Sequence, residues 1–253
     1  MVVRLILSYR GTRYAGWQRQ ENALAVQQVV EEALGRLLGP AAGETPRITG
    51  ASRTDAGVHA RGQAAHLELA RPFPLRGLVH GTNHHLPGDV CVLAAREMAA
   101  GFHARRSALG KEYRYRLSRA EVLSPLDAPF AVPAPREIDP GRLREAAALL
   151  PGRHDFSAFT LAGAAPGDRH RRIDAADWTE EGDELRFRVI GEGFLRGMVR
   201  GLVGTMIEVG TGRRSVASFA RLLEGAERGE AGPTAPARGL VLERVIYGPE
   251  WAK

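Results

Sequence analysis

Residues 107–117, SALGKEYRYRL, separate two halves of the sequence that predict the same order of secondary-structure elements. In Glu112–Leu117 aromatic residues alternate with charged ones, which is the pattern of a half-buried strand. This strand begins the second half. We therefore place a boundary near Ser107–Lys111 and expect one domain over residues 1–108 and another over residues 109–253.

The first half predicts four strands and two helices from the period of its hydrophobic residues. The strands are Val2–Tyr9, a short one at Arg47–Thr49, Gly62–Leu69 and Val90–Glu97. The helices are Ala25–Leu38 and Leu75–His84. The predicted order is therefore β-α-β-β-α-β.

The second half predicts strands at Glu112–Leu117, Arg172–Trp178, Glu184–Ile190 and Leu240–Tyr247. Asp139 is a predicted N-cap with Pro140 at the first helical position, and this helix should end near Pro151. A long apolar helix over Phe194–Val209, ended by Gly210, and a shorter one over Val216–Glu224 follow. Three stretches without periodicity predict loops, namely Leu117–Ile138, Ala162–His170 and Ala231–Arg238.

Each half therefore has the βαββαβ order of a ferredoxin-like unit. We predict an α+β protein in which the two halves share a mixed, mostly antiparallel sheet. Helices on one face of that sheet would leave the other face free to form a basic cleft.

The charge of the 253-residue chain favours a polyanionic partner, since its net charge is +6. Lys111 and Lys253 are the only lysines, so arginine supplies nearly all the positive charge. Arginine binds phosphate through two donors and stacks on bases, which fits nucleic acid. A GC-rich genome, which replaces lysine by arginine, would give the same composition, so both explanations stay open.

Cysteine and hydropathy exclude several other classes. The single cysteine, Cys91, excludes a disulfide framework and any multi-cysteine metal site. The apolar run Val2–Tyr9 is too short for a signal peptide, and no stretch has the length of a membrane-spanning helix. We expect a soluble, cytoplasmic protein.

The densest polar cluster is ITGASRTDAGVHARGQAAH, Ile48–His66, between two predicted strands. Asp55 follows Arg53 by two positions, so its carboxylate could be held ionised and act as a nucleophile toward an electrophilic carbon. The same pattern fits an Asx-turn in which Asp55 bonds its own backbone. The residues alone leave both interpretations open.

A family resemblance starts in this cluster, because Arg53–Ala60, RTDAGVHA, resembles the signature of the tRNA pseudouridine synthase A family. Seven further segments resemble that family in the same order. They are GTRYAGWQRQ (Gly11–Gln20), NHHLPGDV (Asn83–Val90), FHAR (Phe102–Arg105), KEYRY (Lys111–Tyr115), HDFSAF (His154–Phe159), FLRGMVRGLVG (Phe194–Gly204) and GLVLERVIY (Gly239–Tyr247). The resemblance thus covers nearly the whole chain.

The resemblance implies a role for each matching residue. Asp55 would be the nucleophile, Tyr113 would stack on the target base and assist proton removal from its C5, and Arg200 would pair with Asp55. Arg53 would hold the extruded nucleotide or replace it in the stack. Three more residues, Thr54, His59 and Arg105, complete the substrate-binding set, to which Tyr113 and Arg200 also belong.

The resemblance also implies the reaction. Members isomerise uridine to pseudouridine at positions 38, 39 and 40 of the tRNA anticodon arm, as homodimers, without a metal or organic cofactor. This sequence departs from the family's usual pattern at Arg10, Ser52 and Arg106, which leaves the RNA contacts near these positions open.

Two other functions fit parts of the sequence. A non-catalytic RNA-binding module would use two ferredoxin-like units, but the aromatic signature of tandem RNA-recognition folds is missing. A hydrolase acting on nucleosides needs a second carboxylate as general acid, and the motif around Asp55 contains none.

Overall fold

The computed structural model describes residues 1–39, 46–161 and 167–252. These residues contain ten strands, β1–β10, and six α-helices, α1–α6. They form two compact units, of which the first comprises residues 1–109 with 242–253 and the second residues 110–241. The predicted division into domains 1–108 and 109–253 stays a prediction, although the final strand lies mostly within the first unit.

The first unit contains the succession predicted for the first half. Its elements are β1 (Val2–Tyr9), α1 (Val26–Leu38), β2 (Thr49–Gly50), β3 (His59–Glu68), α2 (Leu75–His85) and β4 (Val90–Met98), with most of β10 (Leu240–Tyr247) and α6 (Pro249–Ala252) from the end of the chain. β1 lies between β3 and β4 and is antiparallel to both, and β2 pairs with β3. The strand order β4-β1-β3-β2 is one that a βαββαβ succession can form.

Both faces of β1 are covered. Successive side chains of a strand point to opposite faces of the sheet, and here each set packs against other residues. Val3, Leu5 and Leu7 are fully buried on one face. Val2 and Ile6, on the other face, pack against a second apolar cluster. The buried members of this cluster are Ala51, Ala64, Met98, Phe102 and Ala104. Phe102 and Ala104, which follow β4, therefore cover part of this face.

The second unit is built on four antiparallel strands with helices packed beside them. Its elements are β5 (Ala108–Ser118), β6 (Val132–Pro133), α3 (Pro140–Ala148), β7 (Gly152–Asp155), β8 (His170–Glu181), β9 (Glu184–Gly191), α4 (Met198–Gly210) and α5 (Val216–Arg221). β9 lies between β5 and β8, and β7 pairs with the free side of β8. β5 pairs with β6 in parallel, whereas β1–β3, β1–β4, β2–β3, β5–β9, β7–β8 and β8–β9 are antiparallel, so the predicted α+β class with mixed, mostly antiparallel pairing is confirmed.

The long apolar helix begins four residues later than predicted. Gly197 precedes α4 with φ of 71°, a left-handed conformation that cannot continue a right-handed helix back to Phe194. Gly210 is the last helical residue rather than the residue that ends the helix. The N-cap of α3 is confirmed, because the Asp139 side chain accepts from the Gly141 N–H.

Other predicted bounds are wrong by a few residues. β2 is Thr49–Gly50 rather than Arg47–Thr49, and β3 begins at His59, because Ala60 already pairs with Tyr9 of β1. The short strand β6 interrupts the predicted loop Leu117–Ile138, and β7, which was not predicted, follows the helix that was expected to end near Pro151. His170 begins β8, and residues 162–166 of the predicted loop lie outside the described residues. Across the described ranges, no helix is both long and apolar enough to cross a membrane.

Candidate active site

Asp55 begins a tight turn that is closed by a backbone hydrogen bond. The N–H of Val58 donates to the carbonyl of Asp55 at 3.1 Å. Gly57, the third residue of the turn, has φ of 78°, which side-chain-bearing residues adopt only with strain. The turn therefore holds the Asp55 backbone in one place, and the Asp55 side chain is half-buried there.

Four hydrogen bonds join this loop to the end of β1 and the segment that follows it. Two are backbone bonds, from the Trp17 N–H to the Thr54 carbonyl at 3.1 Å and from the Gly57 N–H to the Tyr14 carbonyl at 3.2 Å. The other two involve side chains of the predicted site, and both are buried. The hydroxyls of Tyr9 and Thr54 are 2.8 Å apart, and the N–H of Gly11 donates to Nδ1 of His59 at 3.0 Å.

Two glycines allow the two segments to approach at backbone contact distance. A Cβ at Gly11 would lie 1.9 Å from the Val58 carbonyl oxygen. A Cβ at Gly16 would lie 2.6 Å from the Thr54 carbonyl oxygen, and Gly16 has φ of 102°. In the structure Thr54 and His59 therefore hold the loop that carries Asp55 against the end of β1 and the segment that follows it.

The entry to the loop is fastened by Gln63, which sequence reasoning missed. Its side-chain oxygen accepts from the Ser52 N–H at 3.2 Å, and its Nε2 donates to the Ser52 carbonyl at 2.7 Å. Gln63 is fully buried, so its amide replaces two backbone hydrogen bonds that water cannot supply. Arg53 follows Ser52 directly, and its side chain is exposed.

Arg105 is anchored near the other end of β3. The N–H of Ala104 donates to Nδ1 of His66 at 3.2 Å, and the Ala104 carbonyl accepts from the Tyr247 hydroxyl at 2.7 Å. His59 and His66 are seven residues apart on β3, which corresponds to roughly 20 Å along the strand. The structure therefore does not bring the Arg105 backbone close to the Asp55 turn.

The second unit contains the two remaining site residues. Tyr113 lies on β5 opposite Val189, is buried, and packs edge-to-face against Phe194 with ring centroids 5.1 Å apart. Such a pair restricts the tilt of the Tyr113 ring. The ring that is predicted to stack on a base is thus held by a neighbouring aromatic residue.

Arg200 lies in the first turn of α4, and a loop of the same unit holds its side chain. Its Nε donates to the Ala235 carbonyl at 2.8 Å, and its own carbonyl accepts from the Ala235 N–H at 3.0 Å. Gly204 allows this loop to lie against the helix, since a Cβ there would be 1.7 Å from the Pro233 carbonyl oxygen. Ala235 was not singled out from the sequence, because its contribution comes entirely from its backbone.

Tyr115, two residues after Tyr113, lies close enough to Arg200 to feel its charge. Its hydroxyl donates to the Pro236 carbonyl at 2.9 Å, and burial raises its pKa above the ordinary value. The positive charges of Arg200 and Arg238 act in the opposite direction on that pKa. An ion pair of Arg200 with Asp55 would join the two units and stays a prediction.

Metal-ligating side chains form no candidate cluster in the described part of the chain. Groups of three or more histidine, cysteine, aspartate or glutamate side chains with suitable spacing do not occur there.

Comparison with known proteins gives first the class of enzyme. A family model described as tRNA pseudouridine synthase matches residues 146–248. Relatives named tRNA pseudouridine synthase A match over nearly the full length. The protein of Syntrophotalea carbinolica is 45% identical, covering 98% of this chain and 97% of that protein, and that of Pelobacter propionicus is 46% identical, covering 97% and 99%. The protein of Myxococcus xanthus is 47% identical, covering 97% and 91%.

The chain belongs to the tRNA pseudouridine synthase A family. It is therefore an isomerase of the pseudouridine synthase class. Among solved structures, a chain in the archaeal box H/ACA sRNP Nop10-Cbf5 complex matches with a TM-score of 0.35 at 12% identity, covering 98% of this chain and 49% of that chain. That likeness is too weak to support an argument.

Proposed function

We propose that this isomerase converts uridine to pseudouridine at positions 38, 39 and 40 of the tRNA anticodon arm, with Asp55 as the nucleophile. The observation that carries the proposal is the fastening of the Asp55 turn. Buried hydrogen bonds from Tyr9, Gly11 and Trp17 hold the residues on both sides of it. A nucleophile must keep its position while the substrate moves, and this loop provides that rigidity.

The reaction explains why one carboxylate is enough. The N1–C1′ bond of uridine breaks, the uracil turns, and a C5–C1′ bond forms while C5 loses its proton and N1 takes one up. A carboxylate can capture the sugar or the base transiently during the turn and leave again, so no oxidant or reductant enters the balance. Attack at C1′ and attack at C6 are both compatible with this role of Asp55.

Tyr113 and Arg200 complete the proposed site. A target uridine within a stem must leave the base stack, which costs a few kcal/mol. Stacking on Tyr113 and contacts from Arg53 would offset that cost. Arg200 would keep Asp55 ionised, since an opposite charge within a few ångströms favours the charged form of a carboxyl group.

Tritium release tests the role of Asp55. Transcripts of tRNA labelled at uridine C5 should release tritium to water with the wild-type enzyme and no added cofactor. Asp55→Asn, which keeps the size of the side chain and removes its charge, should reduce release by a factor of at least about 10³, in line with the loss of a nucleophile. Asp183→Asn, at an exposed position in the second unit, is the matched control and should keep wild-type release.

The outcomes separate the three candidate functions. Release by wild type but not by Asp55→Asn, without free uracil, supports the proposal. Free uracil in the product would indicate a hydrolase. Tight tRNA binding with no release by either protein would indicate an RNA-binding module. Transcripts with a single uridine at position 38, 39 or 40 would then show which of these positions is modified.

The homodimer and the cytoplasmic location belong to the same proposal. The homodimer rests on the family resemblance and the cytoplasmic location on the cysteine content and hydropathy of the sequence, and the assembly can be measured directly. Light scattering should give a mass of twice the 27.4 kDa of one chain. A mass of one chain at the concentrations used for activity would contradict the dimer.

A further inference from the structure

A buried tyrosine–carboxylate pair, Tyr14 and Asp89, lies next to the loop that carries Asp55. The hydroxyl of Tyr14 donates to Oδ1 of Asp89 at 2.6 Å, and both side chains are almost completely buried. The other carboxylate oxygen, Oδ2, is buried and has no hydrogen bond within the described residues, while Nη1 of Arg13 lies 3.5 Å from it. Burial and the bond to Asp89 raise the pKa of Tyr14 above its ordinary value, so its hydroxyl stays a donor.

Asp89 binds both ends of the short segment Arg10–Tyr14, which follows β1 and contacts the loop that carries Asp55. Its carbonyl accepts from the Arg10 N–H at 2.9 Å, and its side chain holds the ring of Tyr14. Between these points the Tyr14 N–H donates to the Gly11 carbonyl at 2.9 Å, which closes one helical turn. The segment is therefore a rigid body that is tied to the start of β4.

The segment is also hydrogen-bonded to the Asp55 turn, at the glycine that the turn requires. The Tyr14 carbonyl accepts from the N–H of Gly57, whose positive φ the turn requires. Only one residue, Ala56, stands between Asp55 and Gly57. A shift of Tyr14 would therefore move the backbone of the turn, and with it the carboxylate of Asp55.

We propose that Tyr14 and Asp89 are positioning residues for the Asp55 nucleophile, through the bond from Gly57 to the Tyr14 carbonyl. The inference rests on the proposed role of Asp55. The side-chain pair fixes the ring of Tyr14, and the backbone carbonyl of the same residue bonds the turn of the nucleophile. Reactions that depend on a near-attack geometry lose up to about 10²-fold in rate for a displacement of about 1 Å, so a small relaxation at Tyr14 would be measurable.

The test compares single-turnover rates on tRNA, with enzyme in excess, and dissociation constants for tRNA. Tyr14→Phe removes the hydroxyl and keeps the ring, and should lower the rate about tenfold or more without changing tRNA affinity. Asp89→Ala should have a similar effect, and the double variant should be no worse than the worse single variant, because the two side chains act as one device. Asp89→Asn keeps an acceptor for the Tyr14 hydroxyl and should lose less.

Asn83→Ala is the matched control for stability. Asn83 is in the same unit and makes two side-chain bonds to the backbone of Val92 in β4, at 2.7 and 2.8 Å, but none to the Asp55 loop. Its removal should destabilise the protein and leave the rate per folded molecule unchanged. Folded fractions are measured by urea denaturation for each variant.

The results separate this inference from the proposed function. Wild-type rates per folded molecule in Tyr14→Phe and Asp89→Ala, with Asp55→Asn inactive, would overturn the positioning role alone. Equal rate losses in Tyr14→Phe and Asn83→Ala would also overturn it, since stability would then explain both. Turnover by Asp55→Asn would overturn both proposals. A rate loss confined to the Tyr14 and Asp89 variants supports the inference.

Discussion

His66 is a buried histidine whose neutral form the fold requires. Its Nδ1 accepts the N–H of Ala104, and a protonated Nδ1 cannot accept a hydrogen bond. Burial lowers the pKa of His66 below the ordinary 6.5, and the neighbouring ring of His103, 4.7 Å away between centroids, lowers it further. The segment that carries Arg105 therefore depends on an unprotonated imidazole.

The resulting prediction concerns stability as a function of pH. Because the folded protein binds this proton less readily than the unfolded chain, the contribution of neutral His66 is fully present above about pH 6.5 and declines as the pH falls below that value. The free energy of unfolding in urea should therefore drop between about pH 7.5 and pH 5.5. In His66→Asn, whose amide oxygen can accept from Ala104 and does not titrate, the drop should be smaller.

The control for this prediction is His84→Asn, at an exposed position on α2. Its drop between the two pH values should equal that of the wild type. An equal drop in His66→Asn and the wild type would show that protonation of His66 does not contribute. His103 keeps part of the dependence in every variant, since burial also lowers its pKa.

At the level of single residues, the sequence predicted the residues with recognisable chemistry and missed those that support them. Asp55, Thr54 and His59 lie within one motif, so their closeness in space follows from their closeness in sequence. Asp89 lies in the segment Asn83–Val90 and Gln63 in the cluster Ile48–His66, but neither was given a role, because their importance lies in what folding brings next to them. Gln63 meets the backbone of Ser52, and Asp89 meets Tyr14, which is 75 residues away in the chain.

At the level of elements, helix α1 is joined to the start of β2 by a buried carboxylate. The side chain of Glu31 is fully buried and accepts from the Ile48 N–H at 3.1 Å and from Nε2 of Gln27 at 3.0 Å. Arg19 and Arg47, both partly exposed, lie 3.2 and 3.3 Å from its Oε2. A single side chain thus satisfies a backbone donor, an amide and two arginines.

Glu31→Ala should therefore destabilise the first unit. The Ile48 N–H would lose its acceptor and the Gln27 amide one of its two, the other being the Ile48 carbonyl, while the two arginines could still reach water. We expect a loss of about 2–3 kcal/mol in the free energy of unfolding, measured in urea. Glu32→Ala, one position further on the exposed side of α1, should change it by less than about 0.5 kcal/mol. Similar losses in both variants would contradict the buried network.

Element boundaries show where local patterns fail. The apolar periodicity from Phe194 onward predicted helix, but Gly197 takes a left-handed conformation and Phe194 packs on Tyr113 instead. β6 consists of two residues whose only partner is the end of β5, so pairing rather than periodicity defines it. By contrast, β1 and β10 match their predicted bounds to the residue, because an apolar run with clear ends defines each of them.

At the level of the whole molecule, the net charge of +6 does not by itself show how many arginines are available to bind RNA. Many arginines already pair with carboxylates within a unit, such as Arg188 with Glu112 and Asp177. Arg53, at the entry to the Asp55 loop, and Arg105, next to Ala104, in contrast lie at exposed positions. Composition could not distinguish a basic surface for RNA from an arginine-rich but internally paired one, and the two arrangements differ in how binding responds to salt.

Binding of tRNA should weaken strongly as salt increases, because each arginine–phosphate contact releases counterions. Between about 50 and 200 mM salt we expect the dissociation constant to rise about tenfold or more, measured by filter binding with Asp55→Asn to prevent turnover. Arg105→Ala should reduce the slope of log Kd against log salt by about one, as expected for one lost phosphate contact. Arg76→Ala, at an exposed position on α2 of the same unit, should leave the slope unchanged. A dissociation constant that stays the same across this range would show that phosphate contacts do not carry the binding, and would contradict the predicted basic cleft as the site of recognition.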